Sequence, residues 1–283
     1  MKRILIIPNA FKDKNLTVSS LVAKHLDELG FETLVESKFE TTLNSYAKTI
    51  DTIDKDIDLI IVVGGDGSVI DASVVAVQYD LPVLGINLGK LGYLAEIEPD
   101  SIHILEKLKY NDFKIEEKML LTVKKSGNGD EIISKRYAVN DVIVTHENFL
   151  GLSEISLTNS SEESIRYRSD GLILSTPVGS TAYSLSAGGP IVSHDINSIL
   201  ATPICPHSFI NRSIIFKESE RLQIRNIGES PLKISIDGRF FSELVKDEVC
   251  AVNSAQKKLK MLTFSENNMF STLFSKMRKI ESI

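Results

Sequence analysis

The sequence predicts an α/β domain followed by a β-rich, β-sandwich-like domain and a closing C-terminal helix. Strand-like and helix-like patterns alternate over roughly the first 115 residues, which is typical of an open α/β sheet. After Lys118, short strand-like runs separated by turn residues follow one another, as in antiparallel hairpins. The length of 283 residues also favours two domains, because one domain usually has about 150 residues.

The α/β pattern begins with an apolar run at residues 3–8, which predicts the first strand. Apolar residues at helical spacing from Val18 to Leu29 predict a helix, and Gly30 lies where helices commonly end. The run that ends at Val63 is continuously apolar, as expected for a strand of a parallel sheet covered on both faces. The elements predicted around that strand are a strand at Phe31–Val35, a helix at Ser68–Gln78 and a strand at Pro82–Ile86.

The second half of the chain reads as hairpins. Runs at Met119–Lys125 and Ile132–Val144 flank the turn residues 126–129, and only Ser180–Ala187 has a helical pattern within this region. The tail from Asn268 to Ile280 has apolar residues at helical spacing. We therefore divide the chain into an α/β domain (1–115), a β-rich domain (116–265) and a C-terminal helix (266–283) that packs back on the first domain.

Composition excludes several classes of protein. With 32 basic and 38 acidic side chains the net charge is −6, which gives no general attraction to nucleic acid or to anionic lipid. No run approaches the ~18 apolar residues of a membrane span, and charged residues follow the first apolar run where a signal peptide would be cleaved. Two distant cysteines exclude a disulfide framework. We expect a cytoplasmic protein.

Residues 64–68, Gly-Gly-Asp-Gly-Ser, join the buried strand to the next helix. Gly64, Gly65 and Gly67 allow a close backbone approach, and the N–H groups of the helix, which starts near Ser68, favour a phosphate. Asp66 is unexpected there because a carboxylate repels phosphate, so orienting a hydroxyl or serving a metal accounts for it better. The alternative is a tight turn in which Asp66 caps the helix.

A second dense stretch runs from Arg168 to Pro190 and contains many hydroxyl side chains and glycines. Small hydroxyl groups and exposed backbone can bind the edge of a nucleoside and its sugar without filling the space, and Tyr183 can supply a ring face. The alternative is a serine-rich loop with a short helix. No standard P-loop is present, because residues 85–91 are one residue too short and lack its Ser or Thr.

Four segments together resemble, in order and spacing, the bacterial NAD kinase family: residues 64–68, 85–93, 139–142 and 170–190. The Gly-Gly-Asp-Gly piece also resembles diacylglycerol-type lipid kinases and phosphofructokinases, whereas the Asn140-Asp141 pair and the run 175–190 resemble NAD kinases alone. A lipid kinase and a non-catalytic nucleotide-sensing module are the alternatives. The presence of Asp66 and of the Asn140-Asp141 pair argues against a sensor, because a sensor does not need a base beside the ribose hydroxyl.

The resemblance implies a Rossmann-like first domain, a β-rich second domain, and an active site in the cleft between them. It implies transfer of the γ-phosphate of ATP to the 2′-hydroxyl of the adenosine ribose of NAD, which gives NADP. Asp66 would then be the proton acceptor, with Gly67 along the same ligand. The remaining substrate-binding residues that it implies are Asn140 and Asp141 for the adenosine half, Thr181, Ala182, Tyr183, Ser184, Leu185 and Ser186 for the adenine and its sugar, and Arg168 and Asp170 for the nicotinamide half.

Some positions depart from the family pattern or lie outside it. Tyr93 stands where relatives often have Phe and would pack near the adenine, whereas Val178 replaces a Thr or Ser and removes a hydroxyl contact. Arg239, after Asp237-Gly238, would lie near the dinucleotide unless that segment is a plain hairpin turn. A divalent cation, expected to be Mg²⁺, would be held mainly through the ATP phosphates, with no metal site of the protein's own. Relatives are commonly homodimers or homotetramers, so we expect a homo-oligomer.

Overall fold

The computed structural model describes residues 1–39, 43, 45–89, 92–126, 132–146, 152–207, 211–264 and 273–274. The chain divides into two compact units, Met1–Lys118 with Leu259–Ile283, and Met119–Lys258. In the described part of the chain, no helix is long and apolar enough to cross a membrane.

The helices of the first unit whose full bounds are described are α1 (Thr17–Glu28), α2 (Asp66–Tyr79), and 3-10 helices at Lys14–Leu16, Ser37–Phe39 and Pro99–Tyr110. Its strands before residue 119 are β1 (Arg3–Pro8), β2 (Glu32–Glu36), β3 (Lys48–Ile50), β4 (Leu59–Gly64), β5 (Val83–Asn87), β6 (Ala95–Ile97) and β7 (Lys114–Lys118).

The strands of the second unit are β8 (Leu121–Ser126), β9 (Ile132–Ala138), β10 (Asp141–His146), β11 (Ser153–Thr158), β12 (Ser164–Ser169), β13 (Gly171–Ser175), β14 (Ser198–Ile204), β15 (Ile214–Lys217), β16 (Arg221–Asn226), β17 (Leu232–Ile236), β18 (Arg239–Leu244) and β19 (Val249–Ser254). A 3-10 turn at Gly179–Thr181 and a one-turn helix α3 (Tyr183–Ser186) interrupt them. The last described strand, β20 (Leu259–Thr263), belongs to the first unit.

The first unit is built on a mostly parallel sheet in the order β3-β2-β1-β4-β5-β20-β7, with β6 paired to β5. Only β20 and β7 pair in the antiparallel sense among its described strands. All six residues of β4 are buried, as the apolar run predicted, because β1 and β5 pair with it on either side. Helix α1 turns one apolar stripe to the core through Val22, Ala23 and Leu26, and the predicted Gly30 ends it with a φ of 87°.

The order of these strands creates a switch point between β1 and β4. From β1 the chain runs through α1 to β2 on one side, and from β4 it runs through α2 to β5 on the other side. Ligands of open α/β sheets bind outside the carboxyl ends of the strands at such a point. The segments there are residues 9–13, after β1, and 64–68, after β4.

The second unit is a β-sandwich of two antiparallel sheets, each with six described strands, in the orders β15-β14-β13-β10-β17-β18 and β12-β11-β16-β19-β8-β9. Their inner faces share one apolar core, which includes Val123, Val142, Tyr167 and Ile234. Alternation along the strands follows from this arrangement, as in β16, where every second residue is buried.

Three predicted elements differ from the structure. The run Ile132–Val144 is two strands, because the chain turns at Val139–Asn140 and passes from one sheet to the other. Strand β20 lies in the first unit although we assigned it to the β-rich domain, because it pairs with β5 and β7. The predicted helix Ser180–Ala187 is a 3-10 turn followed by α3. Of the predicted C-terminal helix, only residues 273–274 are described, and these are helical.

Candidate active site

The loop between β4 and α2 is tied to the loop after β1. Asn9 Nδ2 donates a hydrogen bond to Ser68 Oγ (2.7 Å), in the first turn of α2. Asn9 Oδ1 in turn accepts hydrogen bonds from the backbone N–H groups of Phe11 and Lys12 (3.1 and 3.2 Å). One asparagine thus fixes both loops at the switch point of the first sheet. Sequence analysis did not find it, since its role depends on the adjacency of β1 and β4.

Asp66 is the first residue of α2 and is half-buried. Its carboxylate accepts three backbone N–H groups, from Tyr93 (2.8 Å), Leu94 (3.0 Å) and Ala95 (3.1 Å). A Cβ atom on Gly92 would collide with this carboxylate, so the segment after β5 requires glycine there. A carboxylate has about four acceptor positions, so about one remains for a ligand hydroxyl.

Lys12 brings a positive charge to the same loop. A Cβ atom built on Gly65 would lie 2.9 Å from Lys12 Nζ, so the ammonium rests over that glycine. Among the residues that the structure describes, this ammonium has no ion-pair or hydrogen-bond partner. Together with the unpaired N–H groups that every helix start offers, it makes the loop suited to an anion. The sequence signal that points to Lys12 is its place just after the strand next to β4.

The Asn140-Asp141 pair lies at the turn between β9 and β10, in the second unit. Asp237 holds this turn, because its carboxylate accepts the N–H groups of Val139 (2.9 Å), Asn140 (2.7 Å) and Asp141 (3.1 Å). On the other side Thr176 N–H donates to the Asn140 carbonyl oxygen (2.9 Å). The backbone of the turn is therefore held on one side by the Asp237 side chain and on the other side by the Thr176 N–H group.

Asp237-Gly238 forms a tight hairpin turn between β17 and β18, as the plain-turn interpretation predicted. Both residues have positive φ angles, 49° and 76°, as a type I′ turn requires. Arg239 begins β18 and is exposed. The clamp made by the Asp237 side chain was missed, because nothing in a local pattern reveals a contact across about a hundred residues.

Asp141 is almost completely buried, with 3% of its surface exposed. Burial, and secondarily the charge of Asp237, raise its pKa to about 7. Burial also raises the pKa of Asp237, against the backbone hydrogen bonds that lower it. Two carboxyl groups that both resist ionisation therefore stand side by side in this corner.

The run 175–190 is divided between inward and outward side chains. Ser180 Oγ donates to the Pro177 carbonyl oxygen (2.6 Å) and accepts the Val192 N–H (3.0 Å), so it serves the fold. The Ser184 hydroxyl shares a hydrogen bond of 3.0 Å with Thr202 and is buried, so a contact to a ligand stays a prediction for it. The predicted residues of this run with exposed or half-buried surface are Thr181, Ala182, Tyr183, Leu185 and Ser186.

The other predicted residues have surroundings of different kinds. Arg168 and Asp170 are exposed, and Arg168 forms an ion pair with Glu154 (3.5 Å) on the neighbouring strand. Val178 is buried. Tyr93 is half-buried, and burial followed by the charge of Asp66 raises its pKa. Arg168 and Asp170 lie at or just beyond the end of β12, and Tyr93 lies in the first unit beside Asp66.

The described residues contain no group of three or more His, Cys, Asp or Glu side chains that could hold a metal ion. The oxygens of Asp66 are already used by three N–H groups, which leaves little capacity for a cation.

Comparison with known proteins gives a uniform result. The family model described as the ATP-NAD kinase N-terminal domain matches residues 4–112, and that of the ATP-NAD kinase C-terminal domain matches residues 139–264. The NAD kinase of Lachnoclostridium phytofermentans is 35% identical over 283 residues, which cover 98% of this chain and 99% of that protein. The NAD kinase of Haemophilus influenzae is 33% identical over 268 residues, 92% and 94% of the two chains.

Solved structures agree in fold. A yeast NADH kinase complexed with NADH superposes with a TM-score of 0.85 at 22% identity, covering 96% of this chain and 86% of that one. An NAD kinase from Archaeoglobus fulgidus in complex with ATP gives a TM-score of 0.70 at 20% identity, with 98% of each chain covered.

Proposed function

The chain belongs to the NAD kinase family, and on that premise we propose that it transfers the γ-phosphate of ATP to the 2′-hydroxyl of the adenosine ribose of NAD, giving NADP. The proposal rests on the state of the Asp66 carboxylate. Three backbone N–H groups fix it at the start of α2, and about one of its acceptor positions remains for a ligand. A ribose hydroxyl is a donor of the kind that such a position accepts.

In the proposed reaction the 2′-hydroxyl oxygen forms a bond to the γ-phosphorus while the bond from that phosphorus to the β–γ bridging oxygen breaks, and ADP leaves. Asp66 accepts the hydroxyl proton. Phosphoryl transfer depends mainly on positioning and on charge neutralisation. The rigid attachment of Asp66 to the backbone of residues 93–95 supports the first of these requirements.

Lys12 and the start of α2 support the requirement for charge neutralisation. The Lys12 ammonium rests over Gly65, where it can neutralise phosphate oxygens while backbone N–H groups of the helix start bind them. The net charge of the chain is −6, so a positive field for ATP has to be local. We assign the phosphates of ATP to this loop, with Gly64, Gly65, Gly67 and Ser68 allowing the close approach.

A divalent cation, expected to be Mg²⁺, would enter with ATP. Such an ion supplies charge neutralisation on the phosphates. The described carboxylates form no cage for it, so the ATP phosphates would be its main ligands.

The second unit provides the proposed recognition of the dinucleotide. Asn140 and Asp141 are assigned to the adenosine half, and the outward residues of the run Thr181–Ser186 to the adenine and sugar. Arg168 and Asp170 are assigned to the nicotinamide half, and Arg239 to the dinucleotide. The support is the rigid Asn140-Asp141 turn and the exposed or half-buried surface of Thr181, Ala182 and Tyr183.

The test is an assay of the purified chain with ATP, Mg²⁺ and NAD, in which NADP is measured with an NADP-specific dehydrogenase. We expect NADP, with ADP formed in equal amount, and no phosphorylation of diacylglycerol under the same conditions. Phosphorylation of diacylglycerol without NADP would establish the lipid kinase instead, and NAD binding without NADP would establish a sensor. Light scattering on the same sample tests the expected homo-oligomer.

A further inference from the structure

We propose that Asp237 is a positioning residue for NAD recognition, and that the Asp141 carboxyl group beside it, which is buried and has no described hydrogen-bond donor, gives up a proton when the dinucleotide binds. The inference rests on the proposed function, which assigns the adenosine half of NAD to Asn140 and Asp141. It adds a residue outside that assignment and a proton linkage to the same site.

The Asn140-Asp141 turn is attached to Asp237 by hydrogen bonds. Asp237 accepts three consecutive N–H groups, those of residues 139–141, at 2.7–3.1 Å, and its own N–H donates to the Asp141 carbonyl oxygen (3.0 Å). The residue holds this geometry with a φ of 49°, a conformation tolerated by Asp better than by most residues. The turn is also closed from the far side, where a Cβ on Gly179 would collide with the Asn140 carbonyl.

The Asp141 carboxyl group is buried without a described hydrogen-bond donor. None of the described residues donates a hydrogen bond to it, although only 3% of the residue is exposed. Directly opposite on β13 lies Ser175, whose Oγ is also buried and has no described partner. Register partners of an antiparallel pair project to the same face with Cβ atoms about 5 Å apart. The Asp141 carboxyl group, without a described donor, and the unpartnered Ser175 hydroxyl therefore lie on the same face of the sheet.

An unpaired buried carboxylate is costly, so the group stays protonated or meets a ligand that satisfies it. The charges that act on the pair are that of Asp237 on Asp141 and that of Arg239 on Asp237. The residues that meet the turn from β13 and just after it, Ser175 and Thr176, carry no charge. Burial, and secondarily the charge of Asp237, raise the pKa of Asp141 to about 7.

The ligand chemistry follows from this state. A ribose offers hydroxyl donors, and an ionised carboxylate accepts such donors best. Binding of NAD therefore favours the ionised Asp141, and below about pH 7 its proton passes to the solvent. By linkage, the affinity for NAD rises with pH up to this value and then levels off.

The experiment is calorimetric titration of NAD into the full chain below the Asp141 pKa, in two buffers that differ in ionisation enthalpy. We expect the wild type to release a proton, up to one per site. Asp237→Asn removes the charge and puts an amide group against one N–H donor, so the release should shrink and the affinity should fall roughly tenfold. Asp247→Asn is the matched control, because Asp247 is another turn aspartate with positive φ (64°) in the same unit; it should titrate like the wild type.

Equal proton release in the wild type and Asp237→Asn would overturn the inference, as would equal affinities of Asp237→Asn and Asp247→Asn. If Asp237→Asn does not fold, Asp141→Asn, which has the shape of the protonated carboxyl group, replaces it. Proton release that persists in that variant contradicts the inference. A wild type that makes NADP but releases no proton refutes only this inference, whereas a wild type that neither binds NAD nor makes NADP refutes the proposed function.

Discussion

In each unit of the chain, an aspartate holds three consecutive backbone N–H groups. Asp66 holds residues 93–95 at 2.8–3.1 Å, and Asp237 holds residues 139–141 at 2.7–3.1 Å. The surroundings differ. The residue before Asp66 lies under the Lys12 ammonium, whereas the group beside Asp237 is the buried carboxyl group of Asp141, whose pKa the Asp237 charge helps to raise. The same clamp therefore serves different chemistry according to the charge beside it.

Each clamp also depends on a nearby glycine. Gly92 admits the Asp66 carboxylate, and Gly179 admits the Asn140 carbonyl, since a Cβ at either position would collide with those atoms. In the first unit, the glycine leaves space for the aspartate carboxylate itself. In the second unit, it leaves space for the turn that the aspartate holds. We infer that Asp66 serves transfer, whereas Asp237 serves the shape and charge of the binding site.

The largest effect is expected for Asp66→Asn. The change keeps the size of the side chain but removes the proton acceptor, so kcat should fall by ~10² or more. Steady-state assay of NADP formation measures it. Asp58→Asn is the control, because the Asp58 carboxylate accepts the N–H groups of Lys2 and Arg3 at the other end of β4. A similar loss of kcat in both variants would make Asp66 a structural residue only.

Gly179→Ala should destabilise the second unit by about 2 kcal/mol. The added methyl group meets backbone atoms of Asn140, which the Asp237 clamp prevents from moving away. Urea unfolding measures the loss. Gly228→Ala is the control, since a Cβ there meets its nearest neighbour at an ordinary 3.4 Å. Equal stability of the two variants would show that the turn is free to shift.

Ala182→Leu should raise KM for NAD about tenfold, because the half-buried Ala182 is assigned to a nucleoside pocket that needs space. Saturation curves for NAD at constant ATP measure it. Ala187→Leu, at the other end of α3 and also half-buried, should leave KM unchanged. A wild-type KM in Ala182→Leu would favour a solvent-facing serine-rich loop.

The smallest effect, taken per pH unit, is the slope of the free energy of unfolding against pH. The folded chain holds the Asp141 proton up to about pH 7, whereas an unfolded carboxyl group has an ordinary value of 3.8. Between these values the native state binds more protons, so the free energy of unfolding falls as pH rises, by about 1 kcal/mol per unit. Denaturant unfolding at several pH values should show this slope in the wild type and a flatter one in Asp141→Asn. Parallel slopes would remove Asp141 as their source.

Sequence patterns predicted the elements whose signals are local. Strand β4 and helix α1 follow from one apolar run and one helical stripe, and their bounds agree to within about two residues. The break of the run 132–144 was not predicted, because it depends on Asp237, which lies 98 residues from Val139. Lys12 was likewise missed, because its proximity to Gly65 depends on the pairing of β1 with β4.

In the candidate site too, local motifs were predicted and long-range contacts were not. The resemblance to NAD kinases supplied Asp66, Asn140 and Asp141 as candidates, but no motif indicated which carboxylate is satisfied by the backbone and which is left without a donor. That distinction comes from hydrogen bonds between distant segments. The roles assigned to Thr181, Tyr183 and Arg168 stay predictions.

The most direct test of the division between the two clamps is the equilibrium affinity for NAD of Asp66→Asn and Asp237→Asn, measured side by side without ATP. We expect Asp66→Asn to bind NAD within about twofold of the wild type and Asp237→Asn to bind it roughly tenfold more weakly. Loss of NAD binding in Asp66→Asn together with wild-type affinity in Asp237→Asn would contradict the account.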